Sequence, residues 1–390
     1  MSKINSLSDT TWEQCTFQLK IDTSVYVHVP FCSRRCIYCD FVSFVRNDLI
    51  GSYFESLIRE IDIVYGTLGN RKISTLYFGG GTPSHVPVKY ISKVIEKLSK
   101  SFEYDPVETT LEMNPEDVSE ELCKNLKSIG INRISVGLQT SSDQILKVIG
   151  RPYDFNTFMK AYKILRNFFD NVNVDLIYNL PFEKFDDVMM DLKVIKMLNA
   201  DHISFYELEL HEETPLYPMI ESGIVKLPEE DVSEKMYDTI VDTLEDDGYK
   251  RYELSSWTKH KPSFHNLNYW KNGEYLGLGL SSGSHLSMER SVNTEDLIEY
   301  IEKIRSGTVP RTYHVKNSPR EELAETLFMG LRVADGVRLD ELRNKFGDDL
   351  DFYLSKLKDF CPHFLECSEK FMRFTKIGMK FSASILSELV

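Results

Sequence analysis

Three thiols fall within eight residues, Cys32-Ser-Arg-Arg-Cys36-Ile-Tyr-Cys39, directly after an apolar run. At that spacing they can converge on one metal centre. A structural zinc takes four protein ligands, and nothing at zinc-finger spacing supplies the fourth, although Asp40 and the more distant His28 are within the same segment. An ordinary iron-sulfur cluster also takes four thiolates. Three thiolates on a four-iron cluster leave one iron without a protein ligand, which is what a reaction needing direct contact between cluster and substrate requires. The loop therefore points to a 4Fe-4S centre with an open iron, with zinc as the alternative. The remaining cysteines, Cys15, Cys123, Cys361 and Cys367, are scattered, and an odd total of seven argues against a disulfide framework. They read as small buried hydrophobes.

The elements that must carry such a loop are visible as β-branched and aromatic runs at 24–29, 74–80, 108–114, 132–139, 172–180 and 201–208. Between them lie segments with helical periodicity, such as VKYISKVIEKLSKSF and FNTFMKAYKILRNFF. Strand then helix, repeated, implies parallel strands with right-handed crossovers. An open doubly wound sheet and a (β/α) barrel both fit that rhythm, and the unusual residues decide between them. The cysteine loop follows the first strand and GGGTP the second. Glu112 and Asn114 end the third, Gln139 ends the fourth, Asp175 and Tyr178 lie on the fifth, and Tyr206 and Glu207 end the sixth. A barrel builds its site from many strand ends, whereas an open sheet concentrates it at one switch point. The expected fold is α/β, a partial (β/α)6 TIM-like barrel over 21–212 behind a lead at 1–20. An extension over 213–310 containing HNLNYW is expected to close one side. The tail, 311–390, reads as helices with a small hairpin, a winged-helix-like domain.

Composition narrows the partners. A net charge of -14, from 46 basic and 60 acidic residues, argues against nucleic acid or an anionic membrane as the main partner. The tail carries 11 basic and 13 acidic side chains from residue 318 onward, so a DNA-binding use of its shape is disfavoured as well. The N-terminus has no signal-peptide pattern and no long apolar stretch occurs, which leads to the expectation of a cytoplasmic protein.

The spacing C-x3-C-x2-C resembles the radical S-adenosylmethionine (SAM) superfamily. That resemblance implies an open iron chelated by the amino and carboxylate groups of SAM, and cleavage of SAM to a radical by one electron. Within the superfamily, YVHVPFCSRRCIYCDF, LYFGGGTPS, LEMNPE, RISVGLQT, IGR, VDLIYNLP and HNLNYW are similar to the oxygen-independent coproporphyrinogen III oxidases and their heme-chaperone relatives of the HemW type. The similarity runs over nearly the whole chain, departing at YNLPF and LGLSSGSH. By motif it implies that Tyr26, Gly80, Gly81, Thr82, Glu112, Gln139, Arg151 and Asp175 surround SAM. The residue types suit this: carboxylates for an ammonium or ribose hydroxyls, a guanidinium for a carboxylate, glycines for close backbone approach.

Two features favour the chaperone branch over the oxidases. Phe41 stands two residues past the third cysteine, where the oxidases carry a further cysteine, and His265-Asn266-Leu267-Asn268-Tyr269-Trp270 matches a motif implicated in heme binding. A neutral imidazole is a common ligand of heme iron, although a His beside Tyr and Trp also suits a packed loop. The implied cofactors are a 4Fe-4S cluster, SAM and heme. The implied partners are heme and heme-accepting proteins, membrane-bound respiratory enzymes among them, with a homodimer left open and no nucleic acid.

Overall fold

The structure is a computed structural model in which residues 22–389 are described; Cys15 and the lead lie outside them. Six strands, β1 (Thr23–Val29), β2 (Lys72–Gly80), β3 (Glu103–Met113), β4 (Arg133–Gln139), β5 (Val172–Tyr178) and β6 (His202–Glu207), run parallel as consecutive neighbours. Helices Ile50–Leu68, Val88–Ser101, Glu120–Ser128, Phe155–Phe168 and Phe185–Leu198 connect them. Ser119 and Asp154 start two of these helices by accepting from Leu122 N and Thr157 N. β3 begins five residues earlier than the sequence suggests, because Pro106 breaks the pattern where the strand is still exposed and can lack a donor.

The period of two along each strand sorts its side chains. On β4, Ile134, Val136 and Leu138 join the core that also contains Phe158 and Leu165 of the helical layer, each fully buried. Burial of one such side chain contributes about 1.5–3 kcal/mol. Arg133, Ser135, Gly137 and Gln139 face the other way, into a cavity.

The sheet continues past both ends of this run. β9 (Tyr275–Leu278) lies parallel to β1, and β10 (Gly283–Leu286), β11 (Glu289–Asn293) and β12 (Arg311–Lys316) follow antiparallel. At the other end β8 (Ser256–Thr258) pairs antiparallel with β6, and β7 (Lys250–Glu253) with β8. The extension was expected on one side, but each edge of the parallel run presents unpaired backbone groups and the extension covers both. β12 and β7 are the ends of the twelve-stranded order and do not pair, so the barrel is partial. Glu60 fastens the extension to the first helix. It accepts from Gly279 N, Asn293 Nδ2 and the Tyr300 hydroxyl, each at 2.7 Å, so a fully buried carboxyl is satisfied.

The tail packs helices Pro319–Gly330, Leu339–Phe346 and Asp349–Leu357 with a three-stranded antiparallel sheet around its own core of Leu323, Leu327, Leu350, Leu357 and Leu365. Ser318 and Glu321 cap its first helix reciprocally. Here the reading of the cysteines is corrected: Cys361 and Cys367 form a disulfide. The turn of chain between them brings their Cα atoms to 6.3 Å, within the span a disulfide bridges. Among the described residues no helix is long and apolar enough to cross a membrane.

Candidate functional site

β1 runs directly into the cysteine loop, and backbone bonds close the loop at its base. Cys32 N donates to Phe44 O (3.1 Å) and Phe44 N to Pro30 O (2.8 Å). Further along, Ile37 N donates to Ile149 O (3.2 Å) and Leu216 N to Ile37 O (2.9 Å), so the loop is held by the barrel at Ile149 and by the extension at Leu216. His28 braces it from below. Its Nε2 donates to the Val42 carbonyl (2.8 Å), which leaves Nδ1 to accept from the Tyr26 hydroxyl (3.1 Å). Burial lowers the His28 pKa to about 4, so the ring is neutral and both nitrogens are engaged.

Cys32, Cys36 and Cys39 are free and open on one cavity of about 450 Å³. Burial pushes the Cys39 thiol up to about 11 and the Cys32 thiol above its ordinary value. Without a positive centre these groups rest as thiols, and a metal that binds the thiolates displaces the protons. The Thr82 hydroxyl donates to Cys32 Sγ (3.3 Å) and accepts from Asn114 Nδ2 (3.2 Å), joining the cysteine loop to the ends of β2 and β3.

The glycines of GGGTP are required by contact. A Cβ on Gly80 would fall 2.6 Å from the His28 ring, at a φ of +110° that side chains rarely adopt, and one on Gly81 would fall 3.0 Å from Cys32 Sγ. Glu112, ending β3, accepts from the Tyr77 hydroxyl (2.7 Å) and Gly80 N (3.2 Å). Burial pushes its carboxyl up to about 7. Arg151 bridges from the other side, donating to the Tyr38 hydroxyl (2.7 Å) and Asn114 Oδ1 (3.3 Å), while its buried Nε has no partner. Asp175 accepts from Ser135 Oγ and Asn173 Nδ2, each at 2.7 Å, and burial raises its pKa.

Gly80, Gly81, Thr82, Glu112, Gln139, Arg151, Asp175 and the three cysteines thus line a single cavity. Tyr26 stands behind the wall, its ring 6.1 Å from that of Tyr77. The sequence reading passed over Tyr38, Tyr77, Arg133 and Asn173, which also line it. For Arg133 the alternation in RISVGLQ carried the signal, since it shares a face with Gln139. At the mouth, Phe41 is 60% exposed, and His211 Nε2 lies 3.5 Å from Asp40 Oδ2.

HNLNYW differs from the expected loop. Phe264–Trp270 is a helix, started by Ser263 and by Glu108, which accepts from Ser263 Oγ and from the backbone of Phe264 and His265. The helix turns His265 into the protein rather than to the cavity. Its Nδ1 pairs with Thr75 Oγ1 and its Nε2 with the Tyr269 hydroxyl, both at 2.9 Å, and burial lowers its pKa to about 3. Asn266 reaches the cavity instead. Trp270 packs against the cluster of Tyr252, Leu267 and Val333, with Arg332 5.7 Å above its ring.

The sequence and the fold both have known counterparts. The model of the radical SAM superfamily matches residues 26–195, and that of the HemN C-terminal domain matches residues 317–361. The heme chaperone HemW of Lactococcus lactis subsp. lactis (strain IL1403) is 33% identical over 334 residues, 84% of this chain and 86% of its own. HemW of Bacillus subtilis (strain 168) is 31% identical over 345 residues, covering 86% and 90%. Among solved structures, coproporphyrinogen III oxidase (HemN) from Escherichia coli, a radical SAM enzyme, superposes with a TM-score of 0.82 over 96% of this chain and 92% of its own, at 20% identity. At that identity the likeness concerns the fold alone.

Proposed function

The chain belongs to the radical SAM superfamily and, within it, to the HemW type, and from that premise we propose that it binds heme and delivers it to heme proteins, carrying a 4Fe-4S cluster and SAM. The observation that carries this reading is the similarity over most of the chain to relatives named heme chaperones. Phe41, exposed on the rim where the oxidases carry a cysteine, supports it. The cytoplasm as compartment and membrane-bound respiratory enzymes as acceptors belong to the same proposal.

The residues present fit both resident groups. Three free thiols open on one cavity, a Cβ on Gly81 would crowd Cys32 Sγ, and Arg151 keeps a buried Nε without a partner. Cys32, Cys36 and Cys39 would hold the cluster. Gly80 to Thr82, Glu112, Gln139, Arg151 and Asp175 would hold SAM, with Tyr26 supporting them from behind. When bound, the cluster and SAM supply one-electron chemistry. Thr82 orients Cys32 by its hydrogen bond. Glu112 offers a carboxylate to the N–H groups of the SAM amine once its own proton leaves, and Arg151 offers its unpaired Nε to a carboxylate. His265 serves heme in this reading, and a bond from either ring nitrogen to iron must replace its bond to Thr75 or to Tyr269.

The test is anaerobic titration of the cluster-loaded protein with heme, followed by absorbance, beside an assay for coproporphyrinogen III decarboxylation on the same sample. The reading expects saturable heme binding and no decarboxylation. Decarboxylation with SAM and a reductant would transfer the chain to the oxidase activity.

A further inference from the structure

The cavity floor holds a guanidinium to which no SAM-binding residue is hydrogen-bonded. Arg133 opens β4 on the same face as Gln139 but at the opposite end of the strand from the cysteine loop. It is 2% exposed, and its Nε and Nη1 have no hydrogen-bond partner. Glu108 and Asp175 attract it, yet neither carboxylate accepts from it. Glu108 is filled by Ser263 Oγ and the backbone of Phe264 and His265, and Asp175 by Ser135 and Asn173. Between Arg133 and Gln139 the same face carries only Ser135 and Gly137, and Ser204 of β6 lines the cavity too. Among these small residues Arg133 lines the cavity, its Nε and Nη1 buried in the wall and unpaired. A planar fork with unmade bonds recognises a carboxylate.

We infer that Arg133 is a second anion subsite, deeper than that of SAM, which takes a carboxylate of a ligand sharing the cavity. The heme-chaperone reading makes that carboxylate a tetrapyrrole propionate; the subsite itself does not depend on it.

The test titrates the anaerobic, cluster-loaded full chain, with SAM present, with deuteroporphyrin and with its dimethyl ester, the same ring without free carboxylates. The parent should bind the diacid roughly tenfold more tightly than the diester, the scale of one charge-assisted hydrogen bond. Arg133→Gln should erase that preference, and Arg133→Lys, which keeps the charge without the fork, should reduce it. Where Arg133→Gln does not fold, Arg133→Lys decides alone. Equal affinities in the parent, or a preference that survives both substitutions, overturns the proposal. An equal loss of SAM affinity overturns it as well, by giving the guanidinium to SAM. If the parent binds neither ring, the heme-chaperone reading fails and propionate itself becomes the probe. A rise in melting temperature with propionate that Arg133→Gln abolishes then supports the subsite, and no rise overturns it.

Discussion

Replacing Glu112 by Gln measures how the cavity treats the amino end of SAM. The carboxyl accepts from Tyr77 and Gly80, and burial lifts it from 4.5 to about 7, against the pull of the Tyr77 hydrogen bond. In the ligand-free protein roughly one-tenth of it is ionised at pH 6 and roughly nine-tenths at pH 8. The N–H groups of a SAM amine that chelates iron would pair best with the ionised form, so apparent affinity follows that fraction. Through this residue the parent should bind SAM roughly tenfold more weakly at pH 6 than at pH 8, or about 1.4 kcal/mol. Glu112→Gln keeps the shape and cannot ionise, so this part of the pH dependence should vanish. The amine of SAM ionises over the same range but acts equally on both proteins, and the difference between the two profiles isolates Glu112. Equilibrium dialysis of anaerobic, cluster-loaded protein at several pH values measures it. Parallel profiles for parent and variant would refute the reasoning. Stability without ligand carries a linked trend. A carboxyl whose folded pKa lies above its unfolded value contributes stability below about pH 4.5 that is lost as pH rises through about 7. The loss is of the order of 3 kcal/mol, and Glu112→Gln should flatten it.

Substituting Ala for Cys32, Cys36 or Cys39 singly should abolish the cluster, measured as iron, sulfide and the visible absorbance after anaerobic reconstitution; a stable cluster in the triple variant or stoichiometric zinc in the parent would exclude the assignment. Gly80→Ala should cost about 2–4 kcal/mol in urea unfolding, because the new Cβ meets the His28 ring at a positive φ, and cluster loading should fall with it as His28 loses its grip on Val42. His265→Ala should cost about 2–4 kcal/mol by removing a buried ring bonded at both nitrogens, weaken heme binding and shift the Soret band. An unchanged band and affinity in a folded variant would remove His265 from the heme site.

The parallel core was legible because its strands are rich in β-branched and apolar residues on the face toward the helices and are interrupted by helical periods long enough to recognise. Legibility failed where elements are short. YLGLGLSSGSHL reads as a glycine-rich loop, yet it contains β9 and β10, four residues each, which owe their pairing to the open edge of β1 rather than to their own pattern. Phe264–Trp270 is seven residues long, too short to establish a period, and it exists because Ser263 and Glu108 satisfy its first N–H groups. Glu108 lies 157 residues from His265 in sequence, so no local signal announces the helix. The Cys361–Cys367 bridge depended likewise on a turn that spacing alone does not define.

For the site, the division runs along the barrel axis. Residues at the strand ends sit in loops whose glycines, prolines and cysteines are unusual in themselves, so GGGTP, Glu112, Gln139 and Arg151 stand out in the sequence and meet at one cavity. The floor is built inside the strands, where a polar residue looks like an interruption and its direction follows only from parity. Counting by two from Gln139 leads through Gly137 and Ser135 to Arg133, all on the cavity face, and leaves Leu138, Val136 and Ile134 for the core. The same count from Asp175 on β5 reaches Asn173, whose Nδ2 holds Asp175 and whose Oδ1 pairs with His202 Nδ1 and accepts from Ser204 Oγ. A buried polar layer of this kind costs stability unless every group is paired. Here the network closes around Asn173 and Asp175 but not around Arg133, and that asymmetry separates a residue that organises the cavity from one that waits for a ligand.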